Sequence, residues 1–348
     1  MQSECAPSAQ AEADNFISSY SVCGIYQVTH LIGRGSDGDV VRAFNINTGA
    51  EVAIKDTARS NWEETQMPIV KYEAKVHALI PDGTEGFPSI HYAGIDANHY
   101  AMVMDRLGPN LNALRRVCRG TFTLRTICML AEQMLRRIQL FHSRGVISCD
   151  IKPHNFAMGR GGTAKIVYMF DFALAQPWVL ANTGEHIPFT TGSRPIGTVR
   201  YASVAAHQSH SVSRADDLES LLYTLLEFYH GSLPWEALPA PSHMRRSLIV
   251  EMKSDLSPTG FLPRLLARSP PEFAAYHAHL TGLAYGEEPD YALLRGLFRE
   301  RMRKEGWACD WVYDWMDASG LEKGTLLPEE YNASMQFVEE GVWNPNYM

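Results

Sequence analysis

The sequence predicts an α+β protein in two parts: a small, mostly antiparallel β part with one helix, followed by a larger and mostly helical part. Two observations support this fold class. Up to about residue 106, short segments rich in β-branched and aromatic residues alternate with glycine-containing turns. Beyond residue 109, apolar residues recur at helical spacing instead. The chain has 348 residues, of which 45% are hydrophobic, and this is enough to bury a sizeable core.

Five segments of the first part predict strands. A glycine-rich turn separates the first two strands, and Asn47-Thr48-Gly49 turns the chain into the third. The segment 67–80 carries Ile69, Tyr72, Val76 and Leu79 at helical spacing and predicts the one helix. The predicted strands cover residues 25–33, 39–46, 51–57, 89–95 and 100–107.

The second part predicts at least four helices. The helix at 124–143 has one apolar face, whereas the helix at 214–229 is apolar on almost every side after a polar start. The second pattern is typical of a helix at the centre of a domain. Further helices are predicted at 271–284 and 291–304. We expect the folded domain to span 23–316, in two lobes at about 23–106 and 107–316, between a polar N-terminal tail at 1–22 and an acidic C-terminal tail at 317–348.

Composition excludes several classes of protein. The net charge of −8 argues against general affinity for nucleic acid or for anionic membranes. Charges interrupt every long apolar segment, so we expect no membrane span. The N-terminus lacks the layout of a secretory signal. The six cysteines form no C-x-x-C pair, which argues against a zinc ribbon. Because a secretory signal is missing, we expect a protein of the cytoplasm or nucleus with reduced thiols. We also expect a monomer.

A set of motifs carries the chemistry. The first is the glycine-rich turn with Gly33, Gly35 and Gly38, a pattern that by itself also fits a simple hairpin. A dinucleotide-binding turn would require a helix next, but here a strand follows. The segment VAIK, which ends at Lys55, lies on the third strand, and Glu73 lies on the helix after it.

Two further motifs follow in order, DIKPHN at 150–155 and Asp171-Phe172-Ala173. These motifs resemble the protein-kinase signature, which implies that Asp150 accepts a proton from a substrate hydroxyl and that Lys152 neutralises a phosphate in transfer. Asn155 and Asp171 offer the hard oxygen ligands that Mg²⁺ prefers. Aspartate and asparagine are also common in turns, but the spacing to Lys152 makes that interpretation weaker.

The glycine-rich turn, Lys55 and Glu73 have physical roles that fit the binding of a nucleotide. Glycines let a loop backbone approach phosphates closely. Lys55 supplies a positive charge for the α- and β-phosphates of a nucleotide, and Glu73 would hold that ammonium in place. Lys55 alone would more often be a surface lysine, so the argument rests on the joint occurrence of four motifs in one order.

Together these motifs resemble the protein-kinase signature. Within the protein kinases, residues 26–316 resemble the casein kinase 1 group and its tau-tubulin kinase branch. RGTFT, NFAMG and GTVRYAS are similar to the tau-tubulin branch, whereas DDLESL and GSLPW are similar to casein kinase 1 proper. The resemblance implies a bilobal protein-kinase fold and a serine/threonine kinase that uses ATP and Mg²⁺. It further implies protein substrates with acidic or phosphorylated sites, cytoskeletal proteins among them.

The resemblance also assigns roles to individual residues. It implies that Thr198 bonds Asp150 and Lys152, and that Asp217 holds the backbone of the catalytic loop. Arg200 and Arg246 correspond to a basic site that reads acidic or phosphorylated substrates, although two solvated arginines are the simpler interpretation. The resemblance further implies a site for the nucleotide base. The side chains expected to contact the base are Val40, Ala53 and Ala157. Met104 would be the gatekeeper, and Asp105 and Leu107 would offer the hinge backbone groups.

The sequence departs from the family pattern at several positions. Ser148-Cys149 stands where the family has His-Arg, so a ring expected beneath Phe172 is missing. We expect Ser148→His together with Cys149→Arg to raise stability, activity or both. Ala173 replaces the glycine of D-F-G, which would cost about 1 kcal/mol if its φ were positive. Asp37 adds a negative charge at the glycine-rich turn, and Cys149 suggests sensitivity to thiol reagents. These departures predict weakened activity and leave a pseudokinase, a scaffold with or without bound ATP, as the alternative.

Overall fold

The computed structural model describes residues 20–35, 38–58, 69–97, 99–236, 238, 242–316 and 342–343. These residues divide into two units, and the boundary lies between Gly108 and Pro109. Four parts named in the sequence analysis lie outside the described residues: residues 1–19 of the predicted N-terminal tail, Asp37, residues 67–68 at the start of the predicted helix, and the predicted C-terminal tail except 342–343.

The first unit contains one six-stranded sheet in the order β1-β2-β3-β4-β6-β5, and every pair in it is antiparallel. The strands are β1 (Ser21–Val22), β2 (Tyr26–Gly35), β3 (Gly38–Asn45), β4 (Glu51–Ala58), β5 (Ile90–Asp96) and β6 (His99–Asp105). The helix α1 (Ile69–His77) follows β4 along the chain. The predicted antiparallel sheet with one helix is therefore confirmed.

Neighbouring residues of β4 pack in different apolar clusters, because successive side chains of a strand point to opposite faces of the sheet. Ile54 packs in a cluster with Val28 and Val103, whereas Ala53 packs with Met104 and with Val70 of α1. This is the two-residue period of a strand whose two faces are both covered. Val40, Ala53 and Met104, which are expected near the nucleotide base, belong to the cluster that contains Val70 of α1.

The second unit is mostly helical. Its helices are α2 (Leu111–Val117), α3 (Leu124–Ser143), α4 (Val204–His207), α5 (Arg214–His230), α6 (Ser242–Ser254), α7 (Phe261–Ala267), α8 (Pro271–Thr281) and α9 (Tyr291–Glu305). The side chain of Thr123 accepts a hydrogen bond from the backbone of Thr126 and caps α3. Ser213 and Asp216 form a capping box on α5, and Gly231 ends that helix at a φ of 84°.

The four predicted helices of this part are confirmed, and α5 is buried along most of its length, as its pattern predicts. The helices α2, α4, α6 and α7 were not predicted. They have 7, 4, 13 and 7 residues, and short helices show little periodicity. Of the helices in the described ranges, none combines the length and the apolar character that crossing a membrane requires.

Short strand pairs organise the loops of the second unit. The pairs, all antiparallel, are β7 (Val146–Ile147) with β10 (Gln176–Pro177), β8 (Phe156–Met158) with β9 (Val167–Met169), and β11 (Gly197–Thr198) with β12 (Val342–Trp343). A 3₁₀ turn at Pro153–Asn155 joins the loop after β7 to β8. These pairs bring the segments around Asp150, Asp171 and Thr198 into one region of the unit.

Candidate active site

The glycine-rich turn joins β2 to β3 in the first unit. Gly33 pairs with Val40 and Gly35 with Gly38 across the two strands, and Ser36 and Asp37 at the tip lie outside the described residues. Gly38 has a φ of 138°, and a Cβ atom there would lie 2.4 Å from the carbonyl oxygen of Asp56. Only glycine fits this position, because any side chain would meet both strain and the neighbouring strand.

Lys55 and Glu73 form a buried ion pair in the first unit. The Nζ atom of Lys55 lies 2.7 Å from Oε2 of Glu73, and the two side chains are 9% and 1% exposed. Lys55 extends from β4 and Glu73 from α1, so the sheet and the helix together fix the ammonium group. A pair this buried fixes geometry more surely than it adds stability, because both charges are desolvated. The predicted contact is present.

The residues expected at the base and hinge also lie in the first unit, except for Ala157. Val40, Ala53 and Met104 belong to one apolar cluster, in which Ala53 and Met104 are cross-strand partners. The backbone N–H of Asp105 donates to the carbonyl of Ser89 at 3.1 Å, and its carboxylate accepts from the N–H of Ser89 at 2.9 Å. Leu107 is half-buried two residues further on.

The catalytic loop of the second unit is anchored to the central helix. Asp217 on α5 accepts hydrogen bonds from the backbone N–H groups of Ser148 at 2.7 Å and Cys149 at 2.9 Å. His142 at the end of α3 bonds the same carboxylate at 2.8 Å through Nε2, and its Nδ1 atom lies 2.6 Å from the hydroxyl of Tyr291. The contact that the resemblance implies for Asp217 is present, and His142 was missed.

Asp150 lies at the centre of a hydrogen-bond network. Its Oδ1 atom accepts from the backbone N–H and the hydroxyl of Thr198, at 2.9 and 2.7 Å. The Nζ atom of Lys152 lies 3.1 Å from Oδ2 of Asp150 and 3.1 Å from the hydroxyl oxygen of Thr198. The carboxylate is 8% exposed, so these contacts fix its orientation without removing it wholly from solvent.

The two expected metal ligands lie on adjacent segments. The side-chain amide of Asn155 donates to the backbone carbonyl of Asp150 at 3.0 Å, which leaves its amide oxygen as the atom that a cation would take. The backbone N–H of Phe170, next to Asp171, donates to the carbonyl of Asn155 at 3.1 Å. One amide and one carboxylate oxygen fit Mg²⁺, which keeps several waters and takes its other ligands from substrate phosphates. In the described part of the chain, His, Cys, Asp and Glu form no group of three that could hold a metal alone.

The strain predicted at Ala173 lies elsewhere. Ala173 does not have a positive φ, whereas Asp171 has a φ of 64° and Cys149 a φ of 62°. Both are non-glycine residues in the left-handed region, and such residues are found where the surrounding structure holds them. Gly197 supports this geometry, since a Cβ atom there would lie 2.4 Å from the carbonyl oxygen of Cys149. The alanine of D-F-A therefore carries no backbone penalty of the expected kind.

The two arginines of the expected anion site have different surroundings. Arg200 lies 3.3 Å from Glu227 and 3.8 Å from Glu236, and so is partly neutralised rather than simply solvated. Glu227 is fully buried and is also bonded by Arg115 and by the hydroxyl of Tyr201. Burial lowers the pKa of Arg246, whose Nε atom has no hydrogen-bond partner in the described part of the chain.

Positive charge surrounds the catalytic loop. The pKa of His154 is lowered well below its usual value by burial and then by the charges of Lys152, Arg116, Arg200 and Arg115. Arg116 is exposed on α2, and within the described ranges it forms no ion pair. Four positively charged side chains thus lie near the imidazole of His154.

Three functional contacts escaped the sequence analysis. Lys253 on α6 is 1% exposed and donates to the carbonyl of Ala202 at 2.7 Å. His207 bonds the carbonyl of Val199 at 3.0 Å, in the same segment as Thr198. Phe141 stacks on Phe172. Lys253 has no local sequence signal because α6 is weakly periodic. His207 and His210 form a pair whose spacing by itself indicates only loop histidines, and Phe141 is one of the apolar positions that predict α3.

A sheet unit with a buried lysine–glutamate pair, followed by a helical unit whose loops gather Asp150, Lys152, Asn155 and Asp171, defines a phosphoryl-transfer protein of the kind that cradles a nucleotide. Comparison with protein families agrees with this class. The model of the protein kinase domain matches residues 26–262, more than half of the chain, and the chain belongs to the protein kinase family. Domains of this family generally use ATP and Mg²⁺.

Proposed function

We propose that this chain is an active serine/threonine kinase that transfers the γ-phosphate of ATP to hydroxyl groups in acidic or phosphorylated protein segments. The network around Asp150 is the observation that carries the proposal. A protein that served only as a scaffold would have no need for a carboxylate oriented by two donors of Thr198. The similarity of residues 26–316 to the casein kinase 1 group supports serine and threonine as acceptors.

Each polar group has a distinct task in the proposed reaction. Thr198 engages Oδ1 of Asp150, and the proton of the substrate hydroxyl would pass to Oδ2, which also lies 3.3 Å from the side-chain amide nitrogen of Asn155. Lys152, 3.1 Å from that Oδ2 atom, supplies positive charge as the phosphoryl group transfers. In the other unit, Glu73 holds Lys55 for the α- and β-phosphates. Mg²⁺, held by Asn155 and Asp171, would neutralise charge on the phosphate oxygens.

Preference for acidic substrates is supported by the charge around His154. Lys152, Arg116 and Arg200 lie close enough to depress the pKa of that imidazole, so a carboxylate or a phosphate would be stabilised in the same region. Arg116 contributes most freely, since it is exposed, whereas Arg200 already faces Glu227 and Glu236. Arginine also offers a planar fork of donors that suits phosphate.

A pseudokinase is the second candidate, and the replacement of His-Arg by Ser148-Cys149 favours it. Purified protein, radiolabelled ATP, Mg²⁺ and casein separate the two candidates. We expect phosphate incorporation that a chelator abolishes and that Asp150→Asn or Asp171→Asn lowers by about 100-fold or more. Asp82→Asn, at an exposed carboxylate of the first unit, is the matched control. Equal incorporation by wild type and Asp150→Asn would exclude an active kinase.

Substrate preference is tested with peptide pairs in which acidic residues flank the same serine or are replaced by alanine. We expect a lower KM for the acidic peptide, and Arg116→Gln should raise that KM about three- to tenfold with little change in kcat. Arg303→Gln, an exposed arginine of α9, is the control for general charge effects. Equal KM values for the two peptides would contradict the proposed preference.

A further inference from the structure

An aromatic stack fills the space beneath Phe172. The rings of Phe141 and Phe172 lie 4.5 Å apart between centroids, with 30° between their planes, and both side chains are fully buried. Phe141 is on the last turn of α3, whereas Ser148, where the family carries a ring, is in the loop after β7. Phe172 therefore has an aromatic partner on α3 although Ser148 provides none.

We propose that Phe141 is a positioning residue for phosphoryl transfer, which holds Phe172, and through it Asp171, in place of the ring that the catalytic loop lacks at Ser148. This inference rests on the proposed function. Asp171 has a φ of 64°, a conformation that a non-glycine residue keeps only when its neighbours are fixed. Phe172 is its immediate neighbour in the chain, and its burial is complete.

Contacts on both sides hold the segment around Asp171. On one side, the N–H of Phe170 donates to the carbonyl of Asn155 at 3.1 Å. On the other side, the carbonyl of Phe172 accepts from the N–H of Ala175 at 3.1 Å, and the ring packs on Phe141. The two backbone bonds do not depend on the side chain at 172. The stack therefore links α3 to the residue next to Asp171.

Two consecutive residues on the last turn of α3 support the two segments that carry the site, the loop before Asp150 and the segment with Asp171. His142, next to Phe141, bonds Asp217, which holds the N–H groups of Ser148 and Cys149 before Asp150. Phe141 contacts the segment that carries Asp171. Consecutive residues of one helix therefore orient the proton acceptor and a metal ligand. This arrangement explains how the site keeps its geometry after the loss of a ring at Ser148.

The test replaces one ring and then restores another. We expect Phe141→Leu to lower kcat about tenfold and to raise several-fold the Mg²⁺ concentration that gives half-maximal activity. Adding Ser148→His to Phe141→Leu should recover at least half of both losses, because the second ring occupies the space that the first has left. Ser148→His alone should bring no gain, since Phe141 already fills that space. Phe273→Leu on α8 removes an equally buried ring from the second unit and is the matched control.

Binding provides a readout that does not require turnover. The rise in Tm that Mg²⁺ and ATP together produce should shrink in Phe141→Leu and return in the double variant, while Phe273→Leu keeps the full rise. If Phe141→Leu fails to fold, Phe141→Met, which keeps most of the volume without a ring, takes its place with the same expectations. An unchanged Mg²⁺ requirement, or no rescue by Ser148→His, would overturn the proposal. An inactive wild type that still gives these shifts in Tm would contradict the proposed kinase activity and leave the role of Phe141 in place.

Discussion

At the scale of single residues, the site depends on donors aimed at one carboxylate. Thr198 contributes two of them, its backbone N–H and its hydroxyl, and both meet Oδ1 of Asp150. The same hydroxyl oxygen accepts from Lys152 at 3.1 Å. Thr198 therefore connects the proton acceptor to the lysine, and its hydroxyl is the atom that does so.

Thr198→Val should lower kcat about 10- to 100-fold, because Asp150 loses a charged-group hydrogen bond that sets its orientation. The free energy of unfolding should fall by about 1–2 kcal/mol. Steady-state kinetics and chemical denaturation measure the two effects. Thr198→Ser keeps the hydroxyl and should keep most of the activity; a loss as large as that of the valine variant would show that the methyl group, not the hydrogen bond, matters.

The sequence suggests a reactive thiol at Cys149, but the surroundings of this side chain disfavour reactivity. Its side chain packs against an apolar cluster that includes Leu174 and Ile196. Burial and then the negative charge of Asp217 raise the pKa of its thiol well above the usual value. The thiolate is the reactive form of cysteine, so we expect the half-buried thiol before Asp150 to react slowly with alkylating reagents.

Maleimide treatment of the native protein should therefore label the exposed Cys309 well before Cys149. Peptide mapping by mass spectrometry at successive times gives the two rates, and denatured protein confirms that both sites can react. Labelling of Cys149 as fast as that of Cys309, with parallel loss of activity, would contradict the burial argument and restore the expectation drawn from the sequence.

At the scale of elements, α4, α5 and α6 hold the segment that contains Thr198. Lys253 of α6 donates to the carbonyl of Ala202 at 2.7 Å and faces the rings of Tyr223 and Trp235 at 4.7 and 5.0 Å. His207 of α4 bonds Val199 and lies 3.2 Å from the Nζ atom of Lys253. A cation and an imidazole thus share one buried region beneath this segment.

This arrangement predicts sensitivity to acid. Burial and then Lys253 lower the pKa of His207 from its ordinary value near 6.5 to about 3. Between these two values the unfolded chain binds the proton and the folded chain does not, so the contribution of His207 to the free energy of unfolding falls as pH falls below about 6.5. His207 should account for about 2 kcal/mol of loss between pH 7 and pH 5.

Chemical denaturation of wild type and His207→Gln at both pH values tests this prediction. Glutamine can still donate to Val199 but cannot be protonated in this range, so the variant should lose less stability on acidification. His210→Gln, three residues along the same segment, is the matched control. Equal pH dependence in wild type and His207→Gln would contradict the assignment.

At the scale of the whole molecule, the second unit extends well beyond the part that matches the kinase family at 26–262. Asp314 accepts hydrogen bonds from the backbone and hydroxyl of Thr123 at 2.6 and 2.7 Å, at the start of α3. Trp315 packs on Phe122 at 5.3 Å and stacks with Tyr313 at 4.7 Å. The segment 307–316 is thus part of the folded body and not of a tail.

A chain that ends after Gly306 should be less stable than one that ends after Met316 by at least about 3 kcal/mol, since two buried aromatic side chains are lost. Thermal and chemical denaturation of the two truncated chains give the difference directly. Comparison of these two chains, rather than of either with the full chain, isolates residues 307–316. Equal stability would show that the packing of Tyr313 and Trp315 contributes little.

Much of the fold could be predicted because its signals are local. The alternation of VAIK and the turn at Asn47-Thr48-Gly49 are properties of neighbouring residues, and β3 and β4 lie where these predict. The helix α3 spans 124–143 as its apolar period indicates. The short helices α2 and α7 escaped prediction, because seven residues give fewer than two full repeats of a helical period.

The sequence by itself determined the order of the polar groups that the site needs, and the identity of the contact between Lys55 and Glu73. Only the tertiary structure decided what supports them. Phe141 and Phe172 are 31 residues apart, Lys253 is 51 residues from Ala202, and Asp314 is 191 residues from Thr123. No local periodicity reports such pairs, because they form only when separate elements pack together. The departure at Ser148 is visible in the sequence, but the ring that compensates for it becomes visible only where α3 meets the loop.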